Sequence, residues 1–290
     1  MSVPAPELTN LRDKLLAILA GYERVAVAYS GGVDSAVVAK AAHLACGNQA
    51  LAVTAVSPSL AAGELEAAIA LAEQIGIQHE IVRTEEFQNT EYLANPFNRC
   101  FFCKTELYSR LSELAPRWQI DVLANGANLD DQGDHRPGLQ AAKNFQVRSP
   151  LVEAGLNKAA VRELAKLWEL PVWDKPASPC LSSRIAYGIA VTPERVQTID
   201  QAEAFLRSEF GLRELRVRLE ANELARIEVA EAELERVLSS AAREAIRQRF
   251  HELGFRYVTI DLDGFRSGSL NAVVPLVALE VAISGSGQQE

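Results

Sequence analysis

The segment VAVAYSGGVDSAVVAK, residues 25–40, passes from an apolar strand pattern through two adjacent glycines directly into an alanine-rich helix pattern. Two more strand patterns follow, QALAVTAV and IQHEIVRT, with the helix pattern GELEAAIALAEQIG between them. Strands that alternate with helices predict a parallel sheet covered by helices on both faces. We therefore expect an α/β fold with the double-glycine turn at the carboxyl edge of the sheet, where such folds bind ligands.

The rest of the chain predicts a continuation of this sheet and then a second, smaller domain. The first domain is completed by a helix over Lys104–Trp118, the strand IDVLANG, the loop LDDQGDHRPG, the short helix LQAAKNF, the short strand VRSPL and a helix over Lys158–Leu170. Beyond a proline-rich stretch, the order helix, strand, strand, helix, strand indicates a small α+β layer. The predicted boundaries are 1–175 for the first domain, 176–192 for a linker carrying Cys180, 193–283 for an α+β substrate-binding or oligomerisation domain, and 284–290 for a disordered tail.

Composition and charge narrow the class of protein. The 290-residue chain has a formal charge of −9 and no basic cluster, which argues against a protein that binds long nucleic acids through their phosphates. Charges or glycines interrupt every apolar stretch before 18 residues, so no membrane span is expected. The N-terminus has no signal-peptide pattern, and four unevenly spaced cysteines do not suggest disulfides, so we expect a cytoplasmic protein.

The SGGVDS loop, Ser30–Ser35, has the composition of a phosphate-binding turn. Gly31 and Gly32 let an anion approach the backbone amides, and the following helix offers its unpaired N–H groups. Ser30 and Ser35 add hydroxyl donors. The lysine of the common nucleotide-binding loop G-x-x-x-x-G-K-[ST] is absent, and Asp34 stands there instead. Since a carboxylate repels a polyphosphate unless a cation lies between them, Asp34 predicts a Mg²⁺ ion held against pyrophosphate.

Three of the four cysteines form a pattern that suits metal binding. NRCFFCK contains Cys100 and Cys103, ASPCLSSR contains Cys180, and Cys46 lies among alanines as a small core residue. Three thiolates are the number that holds a [4Fe–4S] cluster with one iron left open. A zinc site would need a fourth ligand, and a redox pair typically opens a helix, a context that differs from the one predicted here. Zinc, redox and unligated thiols remain alternatives.

The SGGVDS loop resembles that of the PP-loop ATP pyrophosphatases, whose Rossmann-like domain is of the adenine nucleotide alpha hydrolase type. Further along, the chain is similar to one group within them, the ATP-dependent sulfur transferases of nickel-pincer nucleotide synthesis, which mature lactate racemase. The shared segments extend almost to the C-terminus: SGGVDS, NRCFFCK, GANLDDQGDHRPG, SPLVEAGLNKAAVRELAK, PASPCLSSRIAYG and DLDGFRSGSLN.

This resemblance implies that ATP adenylates the carboxylates of pyridinium-3,5-biscarboxylic acid mononucleotide and that sulfur then displaces AMP to leave thiocarboxylates. In one version of the family a cysteine matching Cys180 gives up its sulfur, whereas in the other a [4Fe–4S] cluster carries a reusable sulfide. Because Cys100 and Cys103 are present, we predict the cluster version, with Mg²⁺ and ATP as the other cofactors. The sulfide donor is unknown, and a homo-oligomer is expected.

Several side chains are predicted to support this reaction. Asp131, in the loop after the fourth strand, is a catalytic candidate that steers the substrate or Mg²⁺; it and Asp130 could equally cap a helix. Arg184 lies close to Cys180 and is a second catalytic candidate. Arginine forks suit a phosphate or carboxylate, so the predicted substrate-binding residues are Arg216, Arg218 and Arg266; pairing with nearby glutamates is the alternative for the strand arginines.

Three other functions are compatible with parts of the sequence. A tRNA thiolase can combine the same loop with three cysteines, but it would need a basic RNA-binding surface. An amide-forming synthetase of the GMP or NAD type would leave the cysteines without a purpose. A regulator that binds ATP without turnover would release no pyrophosphate when a carboxylate substrate is added.

Overall fold

The computed structural model describes residues 5–133 and 137–266, which divide into two compact units. Among these residues, unit 1 comprises 5–57, 62–86, 100–133 and 137–178, and unit 2 comprises 58–61, 87–99 and 179–266. No helix in the described ranges is long and apolar enough to cross a membrane.

Unit 1 is built on a four-stranded parallel sheet in the order β3-β2-β1-β4. Its strands are β1 (Val25–Ala28), β2 (Ala50–Val56), β3 (Gln78–Arg83) and β4 (Val122–Ala124). Its helices are α1 (Ala5–Ala20), α2 (Val33–Cys46), α3 (Glu64–Ile75), α5 (Arg99–Trp118, whose first residue belongs to unit 2), α6 (Pro137–Asn144), α7 (Pro150–Ala154) and α8 (Lys158–Leu167).

The two central strands, β1 and β2, are buried on both faces, which is why they are almost entirely apolar, whereas the edge strand β3 is polar and largely exposed. Val25 and Val27 of β1 face a core formed with α1, α2, α3 and α8, whereas Ala26 faces a second core that includes Leu107 and Leu111 of α5. The α/β fold with a parallel, Rossmann-like sheet, predicted from strand–helix alternation, is confirmed.

Unit 2 contains a three-stranded mixed sheet in the order β5-β6-β7. β5 and β6 run antiparallel, and β6 and β7 run parallel. Its strands are β5 (Leu215–Glu220), β6 (Leu224–Val229) and β7 (Tyr257–Ile260). The short helix α4 (Thr90–Leu93) comes earlier in the chain, and the long helix α9 (Pro193–Phe210) leads into β5. Helices α10 (Leu234–Leu238) and α11 (Ser240–Glu252) connect β6 to β7. The small C-terminal α+β layer is therefore present, as predicted.

Two local predictions were wrong. Helix α5 begins at Arg99 rather than Lys104, so Cys100 and Cys103 lie in its first turn. The predicted strand VRSPL makes only a single bridge, between Ala124 and Arg148, because Pro150 opens helix α7, and proline is well suited to a first helical position.

The predicted boundaries at 175/176 and 192/193 stay predictions. The predicted tail, 284–290, lies outside the described residues.

Candidate active site

The SGGVDS loop connects β1 to α2 at the carboxyl edge of the sheet, inside unit 1. Gly31 has φ +71°, and a Cβ at this position would lie 3.1 Å from the Cβ of Ala68, so glycine is needed both for its angle and for space. The Ser35 hydroxyl donates to Gly32 O at 3.0 Å and accepts from Ser30 N at 3.2 Å. The N-cap of α2 is Gly32, which offers no capping side chain, so the first N–H groups of the helix face the loop as an anion site.

The segment after β4 packs directly on this loop. A Cβ on Gly126 would lie 2.8 Å from the backbone nitrogen of Ser35, so only glycine permits the two backbones to approach this closely. Two residues further on, the side-chain amide of Asn128 donates to Asp34 Oδ1 at 3.0 Å. β4 pairs with β1, so the loops that follow these two strands are neighbours at one edge, as the sequence predicted.

Asp34 has a partner that the sequence analysis missed. Lys158, the first residue of α8, forms an ion pair with Asp34 Oδ2. The lysine absent from the loop sequence is thus supplied from 124 residues away. The sequence does contain a signal for Lys158. A positive charge at a helix N-terminus is unfavourable next to the positive end of the helix dipole, so a lysine there indicates a role other than stabilising the helix.

The two loop aspartates have backbone partners. Asp130 Oδ2 accepts from the backbone nitrogen of Lys158 at 2.8 Å, and so caps α8 together with Asn157, the helix N-cap. Asp131 Oδ2 accepts from Asn128 N at 3.0 Å. The contact of Asp130 is the one expected if this residue caps a helix. A catalytic role for Asp131 stays a prediction.

The cysteines are thiols, with no disulfide among the four, all of which lie in the described ranges. Cys100 and Cys103 belong to unit 1 and Cys180 to unit 2; Cys100 and Cys180 are exposed. Cys46 packs against the core of unit 1, and burial raises the pKa of its thiol, as expected of a core residue. Within residues 5–133 and 137–266, no group of three or more His, Cys, Asp or Glu side chains is placed to hold a metal ion.

The position of the C-x-x-C pair corrects one premise of the sequence analysis. Redox C-x-x-C pairs typically lie at the start of a helix, and the helix was predicted to begin only after this pair, at Lys104. The pair lies instead in the first turn of the 20-residue helix α5. The helix context therefore gives no ground for excluding a redox role for this pair.

The Cys180 turn, residues 180–184, consists of Cys180 and the short 3₁₀ segment Leu181–Arg184 that follows it, all in unit 2. Arg184 is buried and donates to Pro179 O at 2.5 Å, and its Nε lies 3.0 Å from Glu203 Oε1. Through these contacts Arg184 stabilises the turn from its buried side. Cys180, by contrast, is at the exposed end of the turn.

The structure distinguishes the three arginines predicted to bind substrate. Arg218 is buried and bonded to Glu228 at 3.0 Å and to Ser183 O at 2.8 Å. Arg266 is exposed and pairs with Asp263 at 3.0 Å. Arg216 is only 4% exposed, and its guanidinium makes no hydrogen bond or ion pair with any described residue.

Arg216 stacks over the ring of Phe265, 4.6 Å from its centroid. Burial, followed by the positive charges of Arg218 and Arg184, lowers the pKa of Arg216 to about 10, so the group is still charged at neutral pH. The buried layer contains three guanidinium groups, of Arg184, Arg216 and Arg218, against two carboxylates, of Glu203 and Glu228. An anionic ligand would balance the remaining charge.

The sequence of this chain is similar to those of several known proteins. The family model for NAD synthase matches residues 9–98, which include the SGGVDS loop. An uncharacterized protein of Synechocystis sp. is 47% identical over 92% of this chain and 98% of its own length. A chain of the glutamine-hydrolyzing GMP synthase of Thermococcus kodakarensis is 27% identical over 65% of this chain and 66% of its own length.

One relative has a named activity and matches nearly from end to end. Pyridinium-3,5-bisthiocarboxylic acid mononucleotide synthase of Lactiplantibacillus plantarum is 36% identical over 91% of this chain and 95% of its own length. Such coverage includes both units. The chain therefore belongs to the family of pyridinium-3,5-bisthiocarboxylic acid mononucleotide synthase, within the PP-loop enzymes that NAD synthase represents.

Proposed function

We propose that this chain is an ATP-dependent sulfur transferase that converts the carboxylates of pyridinium-3,5-biscarboxylic acid mononucleotide to thiocarboxylates. The observation that carries the proposal is the 36% identity to a synthase of the bisthiocarboxylic acid product, across 91% of the chain. The SGGVDS loop and its lysine partner support the ATP half of this reaction. The Cys180 turn and Arg216 support the sulfur and substrate half.

In the first step, a carboxylate oxygen of the substrate attacks the α-phosphorus of ATP, and the bond to pyrophosphate breaks. The amides at the start of α2 and the hydroxyls of Ser30 and Ser35 hold the leaving pyrophosphate, and Lys158 neutralises its charge. In the second step, sulfide attacks the acyl carbon and AMP leaves with the former carboxylate oxygen. Adenylation is needed because a carboxylate oxygen is otherwise a very poor leaving group.

Magnesium fits the first half of the site. Mg²⁺ in nucleotide sites is commonly held by one or two carboxylates together with substrate phosphates. Asp34 offers such a carboxylate beside the anion-binding amides. Its partners in the structure are Asn128 and Lys158, and Asp34 can exchange them for Mg²⁺ when the nucleotide binds. Asp34 is therefore proposed as the protein ligand to Mg²⁺.

The three thiols fit a [4Fe–4S] cluster by donor chemistry, since three cysteine sulfurs leave one iron open. We propose Cys100, Cys103 and Cys180 as its ligands. When bound, the cluster would supply a reusable sulfide at that iron. The alternative, in which Cys180 donates its own sulfur, uses the same exposed residue.

Arg216 is proposed to bind the phosphate or a carboxylate of the substrate. Replacing Arg216 with glutamine should raise the KM for the pyridinium substrate about 10- to 100-fold, because one charge-assisted hydrogen-bonding partner is lost. The kcat at saturating substrate should change much less. Steady-state kinetics of pyrophosphate release at varied substrate concentration measures this split.

Arg213→Gln is the matched control for this substitution, because Arg213 is exposed and precedes the same strand. Its KM should stay within about 2-fold of the unmodified protein, as for other exposed side chains. Equal KM values for the Arg216 and Arg213 variants would remove Arg216 from the substrate site.

The whole reaction can be tested with anaerobically purified protein, ATP, Mg²⁺ and the biscarboxylic acid mononucleotide. We expect pyrophosphate release that depends on the substrate, thiocarboxylate product by mass spectrometry, and about four irons with acid-labile sulfide per chain. ATP turnover with ammonia as the acceptor would favour an amide-forming synthetase, to which the GMP synthase similarity points. Tight binding of bulk tRNA at moderate salt would favour a tRNA thiolase.

A further inference from the structure

Cys180 lies exposed at the end of a turn whose backbone is held by three buried residues of a separate segment of unit 2. That segment, residues 92–99, precedes the C-x-x-C pair in the chain and shares no sequence motif with the turn. The Cys180 thiol itself makes none of the contacts described below. They fix where its backbone runs.

Asn95 is the centre of this segment. It is fully buried, and its backbone has φ +55°, a left-handed conformation that asparagine tolerates better than most residues. Its side-chain nitrogen donates to Ala186 O at 2.8 Å and Ile189 O at 2.9 Å. Its backbone oxygen accepts from Gly188 N at 3.0 Å. A further hydrogen bond runs from the same side-chain nitrogen to Ile185 O at 3.3 Å, so one residue holds the chain that follows the Cys180 turn at four points.

Arg99 and Tyr92 hold the turn itself. The Arg99 guanidinium donates to Asn95 Oδ1 at 2.5 Å and to Ser182 O at 2.8 Å, and the residue is only 3% exposed. The Tyr92 hydroxyl lies 2.7 Å from Ser182 Oγ. Ser182 is completely buried. The hydroxyl and the carbonyl oxygen of Ser182 are therefore both hydrogen-bonded and both shielded from water.

The result is a rigid backbone that ends in an accessible cysteine. Polar contacts made in a buried environment are costly to break, so the turn has little freedom to move. A reactive group that must meet an activated carbon gains from such fixation, because small displacements reduce the rate strongly. A turn with a purely structural function would not need to leave its cysteine exposed.

We propose that Asn95 and Arg99, assisted by Tyr92, are positioning residues for the Cys180 thiol, and that they set the efficiency with which the adenylated substrate receives sulfur. This inference rests on the proposed sulfur transfer. It predicts uncoupling: without the clamp formed by these three residues, the protein still adenylates its substrate, but less of the intermediate becomes thiocarboxylate.

The test compares Asn95→Gly with Asn222→Gly. Glycine removes the Asn95 side-chain hydrogen bonds without straining its left-handed backbone. Asn222 is the matched control, because it also has a positive φ, 62°, but is exposed in the β5–β6 connection. Tyr92→Phe, which deletes one hydroxyl and keeps the ring, is the second variant should Asn95→Gly not fold.

Two quantities are measured on the full-length protein. The first is the ratio of thiocarboxylate formed to pyrophosphate released, which should fall about 10-fold in Asn95→Gly while pyrophosphate release stays within about 2-fold. The second is hydrogen exchange of the amides in residues 181–191, which should become at least about 10-fold faster, with no change in residues 25–53. Asn222→Gly should alter neither quantity.

An unchanged product ratio despite faster exchange in residues 181–191 would overturn the proposal, and so would an equal loss of both activities. Unchanged exchange would show that the segment does not hold the turn. If the unmodified protein forms no thiocarboxylate at all, the proposed function fails, and the exchange experiment still decides whether the clamp holds the turn. The two failures are therefore distinguishable.

Discussion

Lys158→Met should reduce pyrophosphate release by about 100-fold or more, with the loss in kcat rather than only in KM. Lys158 is placed by the start of α8, and its ammonium group forms an ion pair with Asp34 of the SGGVDS loop. Removing it leaves a carboxylate next to the site of a polyphosphate and takes away a charge that stabilises the leaving pyrophosphate. Losing one preorganised electrostatic group of this kind typically costs two to three orders of magnitude. Substrate-dependent pyrophosphate release at saturating ATP measures the effect.

Lys166→Met is the control for this experiment. Lys166 lies on the same helix, is 43% exposed and pairs with Glu163, so its loss should change the rate by less than about 2-fold. Asp34→Asn and the double variant Asp34→Asn/Lys158→Met add a further distinction. If Lys158 only holds Asp34 in place, the double variant should be no slower than Asp34→Asn alone. A Lys158→Met protein with nearly normal pyrophosphate release would exclude the proposed role.

The features predicted from sequence are those that short segments determine. The strand–helix alternation and the SGGVDS loop each lie within a few tens of residues, and both the α/β fold and the PP-loop group were correctly predicted from them. The narrower family was predicted from six short segments spread along the chain. The apolar strands required burial on both faces, which only a parallel sheet between two helical layers provides.

Which residues pair in the site was not predictable, because the contacts join distant segments; the lysine at the start of α8 is an unusual choice, but it does not indicate its partner. Asp34 and Lys158 are 124 residues apart, and nothing local to the SGGVDS loop indicates the lysine. Only the docking of α8 beside the carboxyl edge of the sheet brings the two together.

Arg216 and Arg218 show the same dependence on distant contacts within one strand. Their spacing places both on one face of β5 and gave no reason to separate them. In the sheet, Glu228 lies directly opposite Arg216, yet its carboxylate bonds to the diagonal neighbour Arg218. This pairing leaves Arg216 without a hydrogen-bonding partner among the described residues, and it depends on contacts with the Cys180 turn that no sequence pattern encodes.

Cys180→Ser should abolish thiocarboxylate formation while pyrophosphate release stays within about 3-fold of the unmodified protein. A hydroxyl in place of the thiol can neither bind iron as cysteine does nor donate sulfur. The groups proposed to act in adenylation are the SGGVDS loop, Lys158 and Arg216, and the Cys180 side chain is not among them. Product mass spectrometry and pyrophosphate release, measured on the same samples, give the two rates.

Cys100→Ser and Cys103→Ser then discriminate between the two sources of sulfur. If a cluster carries the sulfide, each variant should lose iron and multiple turnover, as Cys180→Ser does. If Cys180 donates its own sulfur, both variants should still form about one thiocarboxylate per chain, and the protein should lose about 34 Da as the cysteine becomes dehydroalanine. Cys46→Ser is the control, because this thiol packs against the core of unit 1 and donates to Leu19 O at 3.2 Å. Full product formation by Cys180→Ser would exclude both sources, because each requires that sulfur atom.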